Sequence, residues 1–255
     1  ASSTPALSFA ASQNLTRGWR HIESIEIAIY PGGDADVGRA VLQAVLSYAG
    51  RDIYAWRDNA ASTSIGWASP QRTQISGLGV RYRATVATAD AHILPAALRV
   101  ANVAFYAGLE SALEQHGLAL LARLRKAGWL GDLDWLAAPL QKARALTRPF
   151  ASDRGGMTVT ATGEDENGKH VARQWLLLAR NGDGPNVPVL PALALVRGFI
   201  NNSIQPGARH AAGVVSLSAI EAEMTPFALE TSTNTLEPQA GLRPEGQTAI
   251  ALSTA

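Results

Sequence analysis

The stretch Met157-Thr158-Val159-Thr160-Ala161-Thr162-Gly163, then Glu164-Asp165-Glu166-Asn167-Gly168, then Lys169 to Ala179, decides the fold class. Apolar and β-branched residues alternate in the first run, which is the period of a half-buried strand. Asn167-Gly168 supplies the positive φ angles of a tight hairpin turn. The chain therefore returns on itself from Lys169 to Ala179 as a second, antiparallel strand.

Working outward, Leu190 to Phe199 reads as a helix, with Pro191 near its start and Leu193, Leu195, Val196 and Phe199 inside. Val214-Val215 opens a short strand, and Ser218 to Met224 is a helix with Ser218 as N-cap and Glu221 completing a capping box. Leu236 to Ala255, polar and broken by Pro and Gly, reads as a frayed tail. Toward the N-terminus, Gly108 to Leu146 is helical, interrupted at Gly128 and Gly131 and resumed from Leu133. Leu98 to Tyr106 and Val80 to Thr88 read as strands, Asp90 to Pro95 as a polar connection, and Arg51 to Gly79 as turn-rich chain anchored by Trp56 and Trp67. Val37 to Tyr48 is a helix capped at Gly50. His21 to Tyr30 is a strand with a register irregularity near Ser24, ended by Pro31-Gly32-Gly33-Asp34, and Asn14 to Trp19 is helical. Strands and helices mix without regular βαβ alternation. The expected class is α+β, a mixed but largely antiparallel sheet with helices packed on it. Residues 1–235 form one domain and 236–255 the tail.

Composition narrows the function. Lys and Arg number 22 and Asp and Glu 21, so no basic field draws in nucleic acid. Cysteine is absent, which removes disulfides, thiolate catalysis and cysteine metal sites and fits a reducing, cytoplasmic setting. No apolar run approaches the roughly 18 residues that span a bilayer. The opening at Ala1, without Met, reads as an excised fragment.

No Gly-x-Gly-x-x-Gly follows an early strand, so the chain alone is not expected to hold a dinucleotide. Pro31-Gly32-Gly33-Asp34 is a plain turn. His21, His92, His116, His170 and His210 show no metal-ligand spacing, and no metal site is expected; His210, beside Arg209, is kept as a candidate. Ser152-Asp153-Arg154-Gly155-Gly156-Met157 has two readings. Arg154 can clamp a carboxylate or phosphate while Gly155 and Gly156 admit close backbone approach, or the segment is a turn entering a strand. Asn181-Gly182-Asp183-Gly184-Pro185 runs into a helix start that suits an anion, or is only a tight connection. Pro206-Gly207-Ala208-Arg209 presents Arg209. Leu118 to Leu140, with Arg123, Arg125, Lys126 and Trp129, fits core packing better than a membrane-surface helix.

Taken in order, Ser152 to Met157, the hairpin, Trp175, Gly182-Asp183-Gly184-Pro185, Pro188, Pro191-Ala192 and Pro206-Gly207-Ala208-Arg209 resemble the second domain of bacterial saccharopine dehydrogenase-like proteins. So do Ala1 to Ser8, Ile25 to Gly38, Leu46 to Gly50 and Ala107 to Glu110, and the likeness spans roughly residues 1–232. It implies a preceding Rossmann domain that binds NAD or NADP, homodimers, and hydride transfer to a small molecule held between the domains. Arg154 and Arg209 would then bind an anionic group of the substrate, with Gly155 and Gly156 beside it and Trp175, Asp183 and His210 shaping the pocket. Two departures stand out: Gly33-Asp34 where an Asn follows Pro-Gly, and Thr88 to Leu94, which keeps only Asp90. Lysine-pathway chemistry and reduction of a lipid-linked double bond both remain open. The rival reading is a non-catalytic binding or assembly domain, associated with lipid or membrane.

Overall fold

The computed structural model describes residues 2–35, 38–147 and 151–236. The hairpin is its spine. β7 (Gly155–Glu164) and β8 (His170–Ala179) pair without interruption from Gly155↔Ala179 to Glu164↔His170. Gly168 takes φ +78, and the Asp165 carboxylate accepts from the Asn167 and Lys169 amides, so the turn residues close the hairpin as their chemistry predicts.

β1 (His21–Tyr30) adds antiparallel to β7, with a register shift between Ile22 and Ser24 where the sequence predicts an irregularity. β6 (Asn102–Leu109) lies on the other side of β1 and is parallel to it. Two hairpins share the far edge of β6. One is β2 (Asp52–Arg57) with β3 (Ala60–Ile65), joined through Trp56↔Val103; the other is β4 (Gln71–Ile75) with β5 (Gly79–Thr85). β9 (Leu229–Leu236) closes the opposite side against β8, giving the order β3-β2-β6-β1-β7-β8-β9. The sheet is mixed and largely antiparallel, and the fold is α+β, as expected.

Alternation sorts the side chains onto two faces. Ile25 and Ile27 of β1, Val103 and Phe105 of β6, Val159 and Ala161 of β7, and Trp175 and Leu177 of β8 form one core with α1 (Ser8–Leu15), α3 (Asp90–Leu98), α6 (Leu190–Ile200) and α7 (Leu217–Ala222). The core continues sideways through Ala84, Leu118, Ala122 and Leu133, beneath α2 (Arg39–Tyr48), α4 (Ala112–Lys126) and α5 (Ala137–Thr147). Among the described residues the other face of the sheet carries no helix. There Ile75 and Leu78 of the β4–β5 hairpin fold over Ala28, Tyr30, Tyr106 and Leu176.

Several elements differ from expectation. α1 ends at Leu15, before most of the segment Asn14 to Trp19, because Gly18 at φ +82 turns the chain. Asp90 to Pro95 is helix rather than connection: α3 tolerates Pro95 because Ala91 and Leu94 bury against the sheet. β6 starts at Asn102, four residues after Leu98, since Arg99 in the left-handed region ends α3 first. Val214-Val215 is a turn and pairs with no strand among the described residues. The α7 cap is Ser216, whose hydroxyl accepts from the Ala219 amide; Ser218 only contacts it, and Glu221 turns inward. Arg51 to Gly79 holds three strands. Beyond Leu236 the tail lies outside the described residues.

Asp90 is fully buried, and its carboxylate accepts from the Ser8 and Thr88 hydroxyls, which fastens α1 to α3. Burial pushes its pKa up, against the lowering effect of those two hydroxyls. Because the folded state holds the proton more tightly than the unfolded chain, stability falls as pH rises through the folded pKa. Asp90→Asn is therefore expected to raise Tm at pH 7 and to lose that advantage as pH falls toward about 4, the ordinary carboxylate range. Thermal unfolding at the two pH values checks this; a variant less stable at both would show that the hydroxyl bonds outweigh burial.

Candidate functional site

Because β1 and β6 run parallel, the loops that leave them emerge at the same edge, and ligands in mixed sheets favour the crevice beyond such carboxyl ends. β7 begins at this edge and β8 ends there. Four segments thus converge: residues 31–35, 110–111, 151–154 and 180–184.

Backbone and carboxylate bonds knit them together. The Asp34 amide donates to the Ser152 carbonyl (3.2 Å), the Ser152 amide to Glu110 Oε2 (3.0 Å), and the Asn181 amide to Asp153 Oδ2 (3.0 Å). Arg81, 5% exposed, places Nη2 3.4 Å from Glu110 Oε1 and 3.4 Å from Ser152 Oγ, while its buried Nε has no hydrogen-bond partner among the described residues. Arg144 bridges Glu114 Oε2 and the Gly33 carbonyl at 3.2 Å each. The loop at Gly33 is tight: a Cβ there would sit 2.4 Å from Glu110 Oε2.

The expected site residues separate into three places. Arg154, Gly155, Gly156 and Asp183 belong to the carboxyl edge. Arg154 is exposed. The close neighbours of the two glycines are other strands: a Cβ on Gly155 would meet the Tyr30 carbonyl at 2.9 Å, and one on Gly156 the Leu177 carbonyl at 2.6 Å. Asp183 fixes its loop by accepting from Asn186 Nδ2 (2.9 Å) and the Ala228 amide (2.7 Å). Trp175 lies in the core, 1% exposed, with Nε1 donating to Glu221 Oε1 at 3.0 Å. Arg209 and His210 line a separate cleft of about 490 Å³ after α6, together with Ser203, Ile204 and Gln205. Arg209 donates to the Gln205 carbonyl. Among the described residues no hydrogen bond links that cleft to the carboxyl edge.

Sequence reasoning missed Arg81, Glu110 and a second polar group on the helix-free face. There the Arg83 guanidinium stacks 4.2 Å over the Tyr106 ring and donates to the Glu26 carboxylate. Burial works against the charge of Arg83, but Glu26 and the nearby Tyr30 and Tyr106 outweigh it and hold its pKa up. Burial raises the phenols of Tyr30 and Tyr106 as well. The signal was available: Arg81-Tyr82-Arg83 on a strand puts both cations on one face, away from the core.

The cations of α4 are engaged within the chain. Arg123 donates to the Ala68 carbonyl, Arg125 to those of Leu46, Ser47 and Ala49, and Lys126 to Asp52. No helix among the described residues is long and apolar enough to cross a membrane.

No family model and no curated protein matches the sequence. Among solved structures the chain is similar to an apo histidine-tagged saccharopine dehydrogenase (L-Glu forming) from Saccharomyces cerevisiae, with a TM-score of 0.51 and 11% identity over 85% of this chain and 68% of that one. The likeness is one of fold.

Proposed function

We propose that this chain is the substrate-side domain of an NAD(P)-dependent oxidoreductase, working with a separate nucleotide-binding domain. The observation that carries the reading is the fold likeness to a saccharopine dehydrogenase across 85% of this chain. The convergence of four segments at the carboxyl edge of β1 and β6 supports it, since that edge is where a second domain would close over a bound molecule.

The reading places the nucleotide elsewhere than the glycine loop after β1. A pyrophosphate needs open backbone amides after the first strand. Here the glycine loop after β1 has the Glu110 carboxylate against Gly33 and its Asp34 amide donated to Ser152. The cofactor would therefore be held by the other domain, and this chain's share of the work is to bind and orient the substrate.

Arg154 is the cation that would hold an anionic substrate group, because it is exposed at the convergence point and the two residues before it, Ser152 and Asp153, are anchored to Glu110 and Asn181. A guanidinium takes a carboxylate bidentately. Arg81 and Glu110 are positioning residues that hold the Ser152 to Arg154 segment.

In the full-length protein, Arg154→Ala is expected to raise KM for a carboxylate substrate by about tenfold or more with kcat little changed, the signature of lost uniform binding. Steady-state kinetics with NADPH or NADH and a panel of oxo and imino acids reads this. An unchanged KM removes Arg154 from the substrate site, and absence of any cofactor-dependent turnover in the full-length protein removes the reading itself.

A further inference from the structure

We infer that the segment Ala249-Ile250-Ala251-Leu252 of this chain docks in the cleft between β2 and α3. The inference does not depend on the reaction proposed above. It rests on the walls of the cleft, on the spacing of its two rings, and on the span from the end of β9.

The cleft has a volume of about 200 Å³, with Tyr54 and Trp56 supplied by β2 and Ala91, His92, Pro95 and Ala96 by α3. Its walls are set before anything enters. His92 stacks on the Tyr54 ring at 3.8 Å between centroids with 17° between planes, and Trp56 Nε1 donates to the Val100 carbonyl at 3.0 Å. Pro95 adds a rigid ring. Tyr54 and Trp56 are half-buried while His92 and Ala96 are exposed, so the cleft opens to solvent. Among the described residues no Asp, Glu, Lys or Arg lines it. A preformed, uncharged and largely aromatic cleft of this size takes aliphatic side chains and is too small for a nucleotide.

Sequence selects the occupant. Residues 237–255 lie beyond the described part of the chain. Glu237 to Thr248 has the composition of a linker, with Pro238, Gly241, Pro244 and Gly246. From Gly246 to Ala255 there is no charged side chain, and Ala249 to Leu252 is an unbroken apolar run. In an extended chain Ile250 and Leu252 fall on one side, and the small Ala249 and Ala251 on the other. Two residues of extended chain rise about 6.6 Å. The same step separates Tyr54 from Trp56 on β2, so the two larger side chains meet the two rings in register.

The span fits as well. Leu236 pairs with Ala172, Ala172 with Thr162, Thr162 with Ser24 and Ser24 with Asn102, and Asn102 adjoins Val103, the partner of Trp56. The end of β9 and the cleft thus lie at nearly the same height in the sheet. Five strand spacings separate β9 from β2, or about 24 Å. Ile250 comes 14 residues after Leu236, and a flexible linker of that length has a root-mean-square reach of about 21 Å. A tether whose reach matches the span gives the highest effective concentration. The exposed stripe of α6, Leu193, Val196 and Ile200, is the rival surface. It is the outside of a helix and offers no cleft between two elements.

The chain has no cysteine, so Ser253→Cys gives a single attachment point for a nitroxide in the full 255-residue protein. The amide NMR signals of Tyr54, Trp56, His92 and Ala96 are expected to lose most of their intensity through the nitroxide, and those of α6 to keep theirs. Ile250→Ser with Leu252→Ser in the labelled chain is expected to restore the lost signals. Ala96→Lys, at an exposed wall of the cleft, is expected to restore them too. Loss at α6 instead, no loss at the cleft, or loss that persists in either variant overturns the inference. A mixture of isotope-labelled chain without nitroxide and nitroxide-bearing chain without isotope is expected to show no loss. Loss in that mixture would place the segment in the cleft of a second copy and overturn docking within one chain.

Discussion

Trp175→Ala is expected to remove about 4 kcal/mol of stability, a large share of the roughly 5 to 15 kcal/mol by which a domain is usually held folded. The residue is 1% exposed in the middle of β8, and its ring fills the space between the sheet and α7. Truncation opens a cavity that the sheet cannot close. It also strands the Glu221 carboxylate, whose hydrogen bond from Trp175 Nε1 is lost. Trp175→Phe separates the two effects: it keeps most of the volume and forfeits the bond, for an expected cost of about 1 to 2 kcal/mol. Urea unfolding of both variants measures them. If Trp175→Ala proved nearly neutral, Trp175 would belong to an adaptable pocket wall rather than to the core.

The second large effect concerns Arg83. Its side chain is 14% exposed and that of its partner Glu26 is 28% exposed, on the face of the sheet that carries no helix among the described residues. Arg83→Met leaves Glu26 facing apolar and phenolic neighbours and removes the cation from above Tyr106. A loss of about 2 to 3 kcal/mol is expected, discounted from the cost of breaking a fully buried pair because Glu26 keeps some water. The double variant Glu26→Gln with Arg83→Met is expected to recover most of that loss, since the uncompensated carboxylate is what costs most. The four-corner cycle in urea reads the coupling directly. Additive losses would show that Arg83 acts through packing on Tyr106 and not through Glu26.

How much of this was legible in the chain depends on whether burial was one-sided. β7 and β8 were readable because each has a core face, and Asn167-Gly168 announces the turn. β1 was readable down to its irregularity at Ser24. The β2–β3 hairpin was not, although its turn residues Asp58 and Asn59 both take positive φ, as a type I′ turn demands. Its second strand, Ala60 to Ile65, is mostly small and polar, so no alternation marks it. β9 was missed for the same reason. α3 was hidden by Pro95, a helix breaker in isolation that tertiary burial of Ala91 and Leu94 overrides. α1 is buried on most sides by small residues, so no amphipathic stripe locates it.

For the candidate site, the loops were visible and their meeting was not. Pro31 to Asp34, Ser152 to Gly156 and Asn181 to Pro185 are each recognisable as turn chemistry, yet they lie far apart in sequence. Only the parallel placement of β1 and β6 brings them to one edge. Glu110, which ties two of them together, sits in a stretch read as the start of a helix. Trp175 shows the converse: its place in an ordered run of motifs suggested a pocket, whereas its environment is the interior.

The position of β1 has a consequence for how the chain is made. β1 ends at Tyr30, and its two neighbours in the sheet, β6 and β7, begin at Asn102 and Gly155. At a synthesis rate of about 5 to 20 residues per second, the central strand would leave the ribosome several seconds before either partner exists. Throughout that interval Ile25 and Ile27 have nothing to cover them and both strand edges are open. Even once β6 has been made, the other edge of β1 stays open until the hairpin of β7 and β8 has been translated, so the chain relies on its C-terminal half to complete the cover of its N-terminal half. Long-range pairing of this kind slows folding, and it makes the nascent N-terminal half the stretch most in need of a chaperone.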